Sequence, residues 1–519
     1  MAVSFRARAV QSVVAPGVIP LVVCVVPRLV AEIDGLLPSF GFSARDVRSE
    51  DFACEAPLGC AHSNTAPEIP KPCLFCVVVG VGSHTRKSCW SLSQPQGPTY
   101  PARVEQVRIE HLVAGGDGFA RADDGRVVFV TGGLPGELVE LTVVDERRDF
   151  VRAEVARIVE SSPDRVEAAC AHRRSGCGGC GWMHLAAGTQ LEAKIEIVAE
   201  SLRRIGRLDV DVVDGLVRGG ASVSTTGYRT TIRVVGLEEG IGFREEGSDR
   251  VVPIETCLVS HPQLAALLPG LEVRAGVELT LRTSVATGAT TALWSVPTRP
   301  RRRRGAPPTP SEKVVGRPVE GLPRSVHIGP RAFLHERIAD VDLRVSARSF
   351  FQSGPAAAEA LVSAVADAAP ELDAADHVVD AYGGVGLFAA TVARGASRVT
   401  VVESSRFSAA DAEHNLANSR ASIERSEFAR WAATRRPGAR SVDVVIADPA
   451  RSGLGRPGVE ALVALDAPVV VLVSCDPVSM ARDAALLAPL GYGPERIEVL
   501  DVLPHTHHVE TVTRFTRRR

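Results

Sequence analysis

Asp380-Ala-Tyr-Gly-Gly-Val-Gly386 is the stretch on which the fold turns. Ahead of it His377–Ala381 reads as a strand, and behind it Leu387–Arg394 reads as a helix. Glycines at such a turn let a ligand approach the backbone closely, because no Cβ intervenes. Working outward, Arg398–Val402 is a second strand and ends at Glu403. Ala409–Asn418 reads as a helix, and Val442–Ala447 and Val469–Val473 as strands. Ala356–Ala368, rich in alanine, is a helix ahead of them all. Strands alternating with helices give an α/β domain over residues 346–519, a doubly wound, Rossmann-like and mostly parallel sheet. Glu403, an acid at the end of the second strand, is placed for ribose hydroxyls. A glycine loop plus an acid also serves NAD, but this loop lacks the G-x-G-x-x-G spacing. Asp380 ahead of the loop and a thiol at another strand end favour S-adenosylmethionine.

That thiol is Cys475, in Val471-Leu-Val-Ser-Cys-Asp-Pro477, where an apolar strand is stopped by proline. A second strand end reads Val444-Val-Ile-Ala-Asp-Pro-Ala-Arg451, and a later stretch reads Pro504-His-Thr-His-His-Val-Glu510. Open α/β sheets place reactive groups at strand ends of this kind. A lone cysteine is more often a core residue than a nucleophile. Cys475 beside Asp448 and Glu510 in matching contexts points to covalent chemistry.

Upstream, residues 101–160 read as a small OB-like barrel of short strands separated by Gly115-Gly116-Asp117-Gly118 and Gly132-Gly133-Leu134-Pro135-Gly136. Residues 161–345 read as a mixed α+β central domain. It opens with Cys170, Cys177 and Cys180 in a C-x6-C-x2-C pattern, and the likeliest fourth thiol is Cys257. Four thiolates suit zinc or a [4Fe–4S] cluster, and a three-plus-one spacing leans toward iron–sulfur. Gln190–Ile205 reads as an amphipathic helix. Thr298–Arg304 is a basic, proline-rich loop, read as a solvated insertion rather than a phosphate contact. Residues 1–100 show no clean period and read as a disordered or mis-started extension. Val18–Val26 is apolar but broken by Pro20, with no small-residue cleavage site after it. Cys73 and Cys76 make only half a metal site.

The 519 residues allow three or four domains. With 45% hydrophobic residues and no unbroken apolar run of membrane-spanning length, cores without membrane spans are expected. A net charge of −2 confines any nucleic-acid surface to a local patch. An odd count of 11 cysteines, clustered, fits cytoplasmic metal and catalytic use better than disulfides. Nothing in the sequence implies an obligate protein partner.

Over residues 104–158 the chain resembles a TRAM domain, with Gly-x-Gly-Phe-Ala-Arg, Val-Val-Phe-Val and Leu-Pro-Gly-Glu in order. Over residues 104–519 it resembles the RNA uracil-5-methyltransferases that use S-adenosylmethionine. The landmarks are Ser349-Phe-Phe-Gln352, Asp380–Gly386, Asp448-Pro-Ala-Arg-Ser-Gly, Val473-Ser-Cys475-Asp-Pro and Pro504–Glu510. The resemblance implies that Gln352, Tyr382, Glu403 and Asp448 contact the cofactor or shape its pocket, that Cys475 is the nucleophile and that Glu510 is the base. It implies RNA as substrate, with ribosomal (23S) RNA favoured and transfer RNA as the alternative. The chain departs from the family's usual Cys-Gly at Gly383-Gly384, from Asp-Pro-Pro-Arg at Ala450, from Cys-Asn-Pro at Asp476 and from a shorter first cysteine gap. A non-catalytic RNA-binding protein would lack Cys475 or Glu510. A cytosine or DNA 5-methyltransferase would carry Pro-Cys and Glu-Asn-Val stretches, both missing here. A redox protein would be expected to carry a second centre.

Overall fold

A computed structural model describes residues 106–296, 318–435 and 441–518 with their side chains, and before them the backbone of five short strands. The chain divides into two units, Met1–Pro101 and Ala102–Arg519. In the first, Arg8–Gln11 pairs antiparallel with Val22–Val25 and with Arg48–Glu50, and Cys76–Val81 makes a hairpin with His84–Cys89. The valine run of that hairpin is β-branched and suits a pleated strand. Cys73 and the arginine-rich loop Thr298–Arg304 lie outside the described residues.

The second unit begins with a six-stranded barrel, Gln106–Arg108 to Phe150–Glu160. Alternation sends Val107, Ile109, Val128, Val130, Val139, Leu141, Val151 and Ala153 inward as its core. Next comes a mixed region. Its main sheet runs in the order Val251–Pro253, Ile241–Arg244, Thr231–Gly236, Glu278–Thr283, Thr290–Ser295, His327–Ile328.

The C-terminal part is an eight-stranded sheet. Its order is Val217–Ser222, Tyr492–Asp501, Glu510–Arg517, Val469–Ser474, Val444–Ala447, Val378–Ala381, Val399–Val402, Ala421–Glu424. Glu510–Arg517 runs antiparallel to both neighbours and every other pairing is parallel. Strands buried on both faces read as unbroken apolar runs, and Val444–Ala447 and Val469–Ser474 are buried throughout. Period-2 alternation divides them between two cores. Ile446, Val471 and Val473 pack with Leu361, Val365 and Phe388 on one face, and Val445, Val470 and Leu472 with Leu462, Met480 and Leu487 on the other.

Several elements differ from expectation for local reasons. Helix Leu387–Ala390 is one turn long. Helix Arg406–Asn415 starts early because Ser405 Oγ caps it, accepting from Ser408 N. Pro477 does not only stop a strand. It is the first residue of helix Pro477–Leu487, where its missing N–H costs nothing, and Asp476 Oδ1 caps that helix by accepting from Ser479 N at 2.6 Å. The edge strand Val217–Ser222 comes from the segment 161–345, outside the range 346–519 expected for this sheet. Helix Ala187–Arg204, just before it, packs on Tyr492–Asp501 and on Pro477–Leu487.

Candidate active site

The strand order reverses at Val378–Ala381, which has Val399–Val402 on one side and Val444–Ala447 on the other. Ligands of such sheets bind in the crevice beyond the carboxyl ends at this switch point. Asp380, Glu403, Asp448 and Cys475 all stand at those ends. Glu510 joins them because its strand is antiparallel, so its first residue lies at the same rim. Ser474 pairs with Thr511, and the same register carried one residue further sets Cys475 opposite Glu510.

On the cofactor side the loop is shaped for close approach. Tyr382 has φ +62°, a left-handed value unusual for a residue with a side chain, and Gly386 has φ +87°. Gly383 admits no larger residue without movement, since a Cβ there would stand 2.6 Å from Val401 Cγ1. Gly384 N donates to Glu403 Oε2 at 2.9 Å, which fixes the Glu403 carboxylate over the loop. Asp380 is fully buried. Its Oδ2 accepts from Ala389 N at 3.1 Å, and its Oδ1 has no partner. Burial, then the charges of Asp448 and Glu403, push Asp380 up to about 7. A buried carboxylate oxygen left without a donor is costly, which is in keeping with the raised proton affinity of Asp380 beneath the loop. The Tyr382 ring packs 5.5 Å from Phe428, so its side chain braces the loop while its backbone faces the crevice. Gln352 is half-buried and follows Phe350, which is 73% exposed.

On the reacting side every group is held near neutrality. Burial, then the charges of Glu510 and Asp448, push the Cys475 thiol up to about 11, against an opposing pull from Arg451. Burial pushes Asp448 up to about 7, although part of its surface stays open to the crevice. Glu510 is 9% exposed, and burial followed by the charge of Asp448 pushes it up to about 8, while Arg451 and Lys194 pull it down. Arg451 donates to His508 Nε2 at 3.3 Å, and burial pushes His508 down to about 3, so its ring is a neutral acceptor. The crevice therefore holds a thiol, a base of raised affinity for protons and one exposed cation. That set can add a nucleophile to a ring and then remove a proton from it.

The four thiols Cys170, Cys177, Cys180 and Cys257 line one cavity of about 570 Å³, with His507 from the segment before Glu510 also in its wall. Burial raises Cys177 and lifts Cys180 to about 12, and the charge of Cys257 opposes ionisation of both. Among the described residues, however, no three His, Cys, Asp or Glu side chains close around a single-ion position. A tetrahedral ion held at about 2.3 Å needs its thiolates within about 4 Å of each other. The metal centre expected from the spacing is thus present as a shared cavity and not as a formed ion site.

Lys194, Gln190 and Arg451 were missed by the sequence reading. Gln190 and Lys194 are wholly buried on the inner face of helix Ala187–Arg204. The signal for them is that they fall on the apolar stripe, at the i and i+4 positions of Ile197 and Ser201's face.

Comparison with known proteins agrees with this geometry. The TRAM domain family matches residues 98–156. An uncharacterized RNA methyltransferase of Streptomyces avermitilis is 35% identical over 428 residues, covering 78% of this chain and 96% of that relative. The 23S rRNA (uracil(1939)-C(5))-methyltransferase RlmD of Methylococcus capsulatus is 31% identical, covering 80% and 98%. Among solved structures, the Pyrococcus abyssi tRNA (uracil-54, C5)-methyltransferase in complex with S-adenosyl-L-homocysteine superposes with a TM-score of 0.57 at 25% identity, covering 79% of this chain and 99% of that one. Among the described residues no helix is long and apolar enough to cross a membrane. With a TRAM-type barrel and a switch-point sheet in place, and with relatives matched along nearly their whole length, the chain belongs to the RNA uracil-5-methyltransferase family.

Proposed function

We propose that this protein transfers a methyl group from S-adenosylmethionine to carbon 5 of one uridine in 23S ribosomal RNA, through a covalent bond between Cys475 and the uracil. The observation that carries the reading is the register that sets Cys475 opposite Glu510 at the switch-point rim. Carbon 5 of uracil is a weak nucleophile. Addition of the Cys475 thiolate to carbon 6 forms a C–S bond and moves the electron pair of the 5,6 double bond onto the ring as an enolate, which makes carbon 5 nucleophilic. S-adenosylmethionine, when bound, supplies an electrophilic methyl group to that carbon. Glu510 then takes the carbon 5 proton, the double bond re-forms, and the C–S bond breaks to return the thiolate. Arg451 lowers the cost of negative charge on both Cys475 and Glu510.

The residues present fit the cofactor. Glu403, tied to the loop by Gly384 N, would accept from ribose hydroxyls, and Gln352, Tyr382 and Asp448 are assigned to the same pocket on the family resemblance. A [4Fe–4S] cluster is the occupant we propose for the four thiols, on their three-plus-one spacing in the sequence and their shared cavity. Cys170, Cys177, Cys180 and Cys257 would hold such a cluster, whose irons would compensate the charge of buried thiolates.

RNA is the substrate class that the barrel supports. His111, Phe119, Phe129 and Phe150 form a ladder with ring spacings of 4.6, 6.4 and 5.9 Å, and Arg121 and Arg152 lie over the Phe119 and Phe129 rings. Phe119 is buried within the ladder, while His111, Phe129 and Phe150 stay partly exposed, and partly open aromatic rings beside arginine on an OB-like sheet suit single-stranded bases. The target uridine must be unstacked to reach Cys475. Ribosomal RNA is favoured over transfer RNA by the higher identity to the 23S enzyme. The reading places this work in the cytoplasm. Mapping 5-methyluridine in RNA from a deletion strain tests the substrate. Loss of one site in 23S RNA is expected, and loss confined to transfer RNA overturns the choice.

A further inference from the structure

Helix Ala187–Arg204 buries Gln190, Lys194, Ile197, Val198, Ser201 and Leu202, with Val198 and Leu202 in the sheet's core and Ile197 against Leu112, Leu134 and Trp182. Two of these are strongly polar, yet both are fully buried. A buried ammonium or amide is tolerated only when it is paired; both reach segment 501–509, and Gln190 Nε2 also donates to Leu185 O at 2.9 Å and to Trp182 O at 3.4 Å. Lys194 Nζ donates to Asp501 Oδ1 at 2.6 Å and to Leu503 O at 3.2 Å. Gln190 Oε1 accepts from His505 N at 2.6 Å, and its Nε2 lies 3.2 Å from His505 Nδ1. Trp182 N donates to His505 O at 2.9 Å. His505 is thus gripped on both sides of its backbone, and it needs the grip because its φ is +63°.

The gripped segment runs from the end of strand Tyr492–Asp501 to the first residue of strand Glu510–Arg517, which is Glu510. It is the only covalent approach to Glu510 from its N-terminal side. The grip also reaches the barrel, since Trp182 Nε1 donates to Gly116 O at 3.1 Å. A Cβ at Gly116 would stand 2.7 Å from His507 Cβ.

We infer that Gln190 and Lys194 are positioning residues for one step, proton removal from carbon 5, because they hold segment 501–509 in the conformation that presents Glu510. The inference rests on the covalent reading above. Neither side chain contacts Cys475 or the cofactor loop, and both hold the segment that leads directly into Glu510, so their loss should act chiefly after the adduct has formed.

The experiment follows adduct formation and decay with labelled, transcribed 23S RNA and S-adenosylmethionine on a denaturing gel. Gln190→Leu and Lys194→Met are compared with wild type and with Glu510→Gln. In both variants adduct formation is expected within about threefold of wild type, with decay slowed on the order of 10- to 100-fold, the scale of a small misplacement of a catalytic group. Formation and decay falling together, or both unchanged, overturns the inference. Lys194→Met leaves Asp501 buried without its partner and can fail to fold; Gln190→Leu removes no charge and keeps the test decisive. If neither variant folds, the face is structural and the step-specific role is wrong. If Glu510→Gln traps no adduct, the covalent reading fails. If it traps adduct while Gln190→Leu turns over normally, only the positioning role fails.

Discussion

Glu510 shows what the site costs the fold. Its carboxyl is pushed up to about 8 by burial, while an unfolded glutamate titrates near 4.5. Between those two values the folded chain binds a proton that the unfolded chain does not. Stability therefore falls as pH rises from about 4.5 to about 8. Asp380 and Asp448, each raised to about 7, act in the same direction over a narrower window. Glu510→Gln removes this titration. The variant is expected to melt higher than wild type at pH 8 and at the same temperature at pH 4, measured by calorimetry. Equal melting at both pH values contradicts a buried, raised Glu510. Activity should run the opposite way, because the base must be ionised to take the carbon 5 proton. Cys475 and Glu510 were legible as residues from their motifs. Their apposition was not, because it depends on an antiparallel register that no local pattern encodes. Lys194 was missed for another reason: even on the inner stripe of an amphipathic helix a lysine reads as solvated until its partner, 307 residues away, is known.

At the scale of elements, the segment carrying Gln352 is held by one carboxylate. Asp411 is wholly buried in helix Arg406–Asn415 and accepts from Arg344 Nε at 2.7 Å, Ser346 N and Oγ at 2.8 Å, and Ser349 Oγ at 2.6 Å. Arg282, only 8% exposed, adds donors to Ser346 O at 3.0 Å and Ser349 O at 2.9 Å. Asp411→Ala should cost about 3 kcal/mol, since it leaves Arg344 and two serines unpaired, and should weaken cofactor binding by loosening Gln352. Urea unfolding together with a cofactor titration checks both. A loss under about 1 kcal/mol with unchanged affinity sinks the clamp. The strands of the sheet were legible because Val444–Ala447 and Val469–Ser474 are buried on both faces and so read as apolar runs. Helix Pro477–Leu487 was hidden by its own first residue, since proline stops a strand and starts a helix with equal ease. Strand Val217–Ser222 was hidden by weak β character. Its sequence, Val-Arg-Gly-Gly-Ala-Ser, carries two glycines and is held as an edge strand by Tyr492–Asp501.

Across the whole molecule, the barrel, the thiol cavity and the crevice meet around one stretch. His507 lines the thiol cavity, abuts Gly116 of the barrel and lies three residues before Glu510. The order of these parts along the chain was legible. Their convergence was not, because helix Ala187–Arg204 and its following strand cross from the central segment into the methyltransferase sheet. The spacing of Cys170, Cys177, Cys180 and Cys257 foretold their meeting but not their ligation, which depends on what fills the cavity. Protein purified without air is expected to be brown and to carry about four irons per chain. One zinc, or no metal, rejects the cluster. The central claim is the division of labour between thiol and carboxylate. Its most direct measurement is a denaturing gel of labelled 23S RNA incubated with Cys475→Ala and with Glu510→Gln in the presence of S-adenosylmethionine. Glu510→Gln should accumulate as a slow-migrating adduct with methylated RNA, because the thiol adds but cannot be expelled while the carbon 5 proton remains. Cys475→Ala should give no adduct and no methylation. An adduct that survives in Cys475→Ala, or full turnover by Glu510→Gln, contradicts the account.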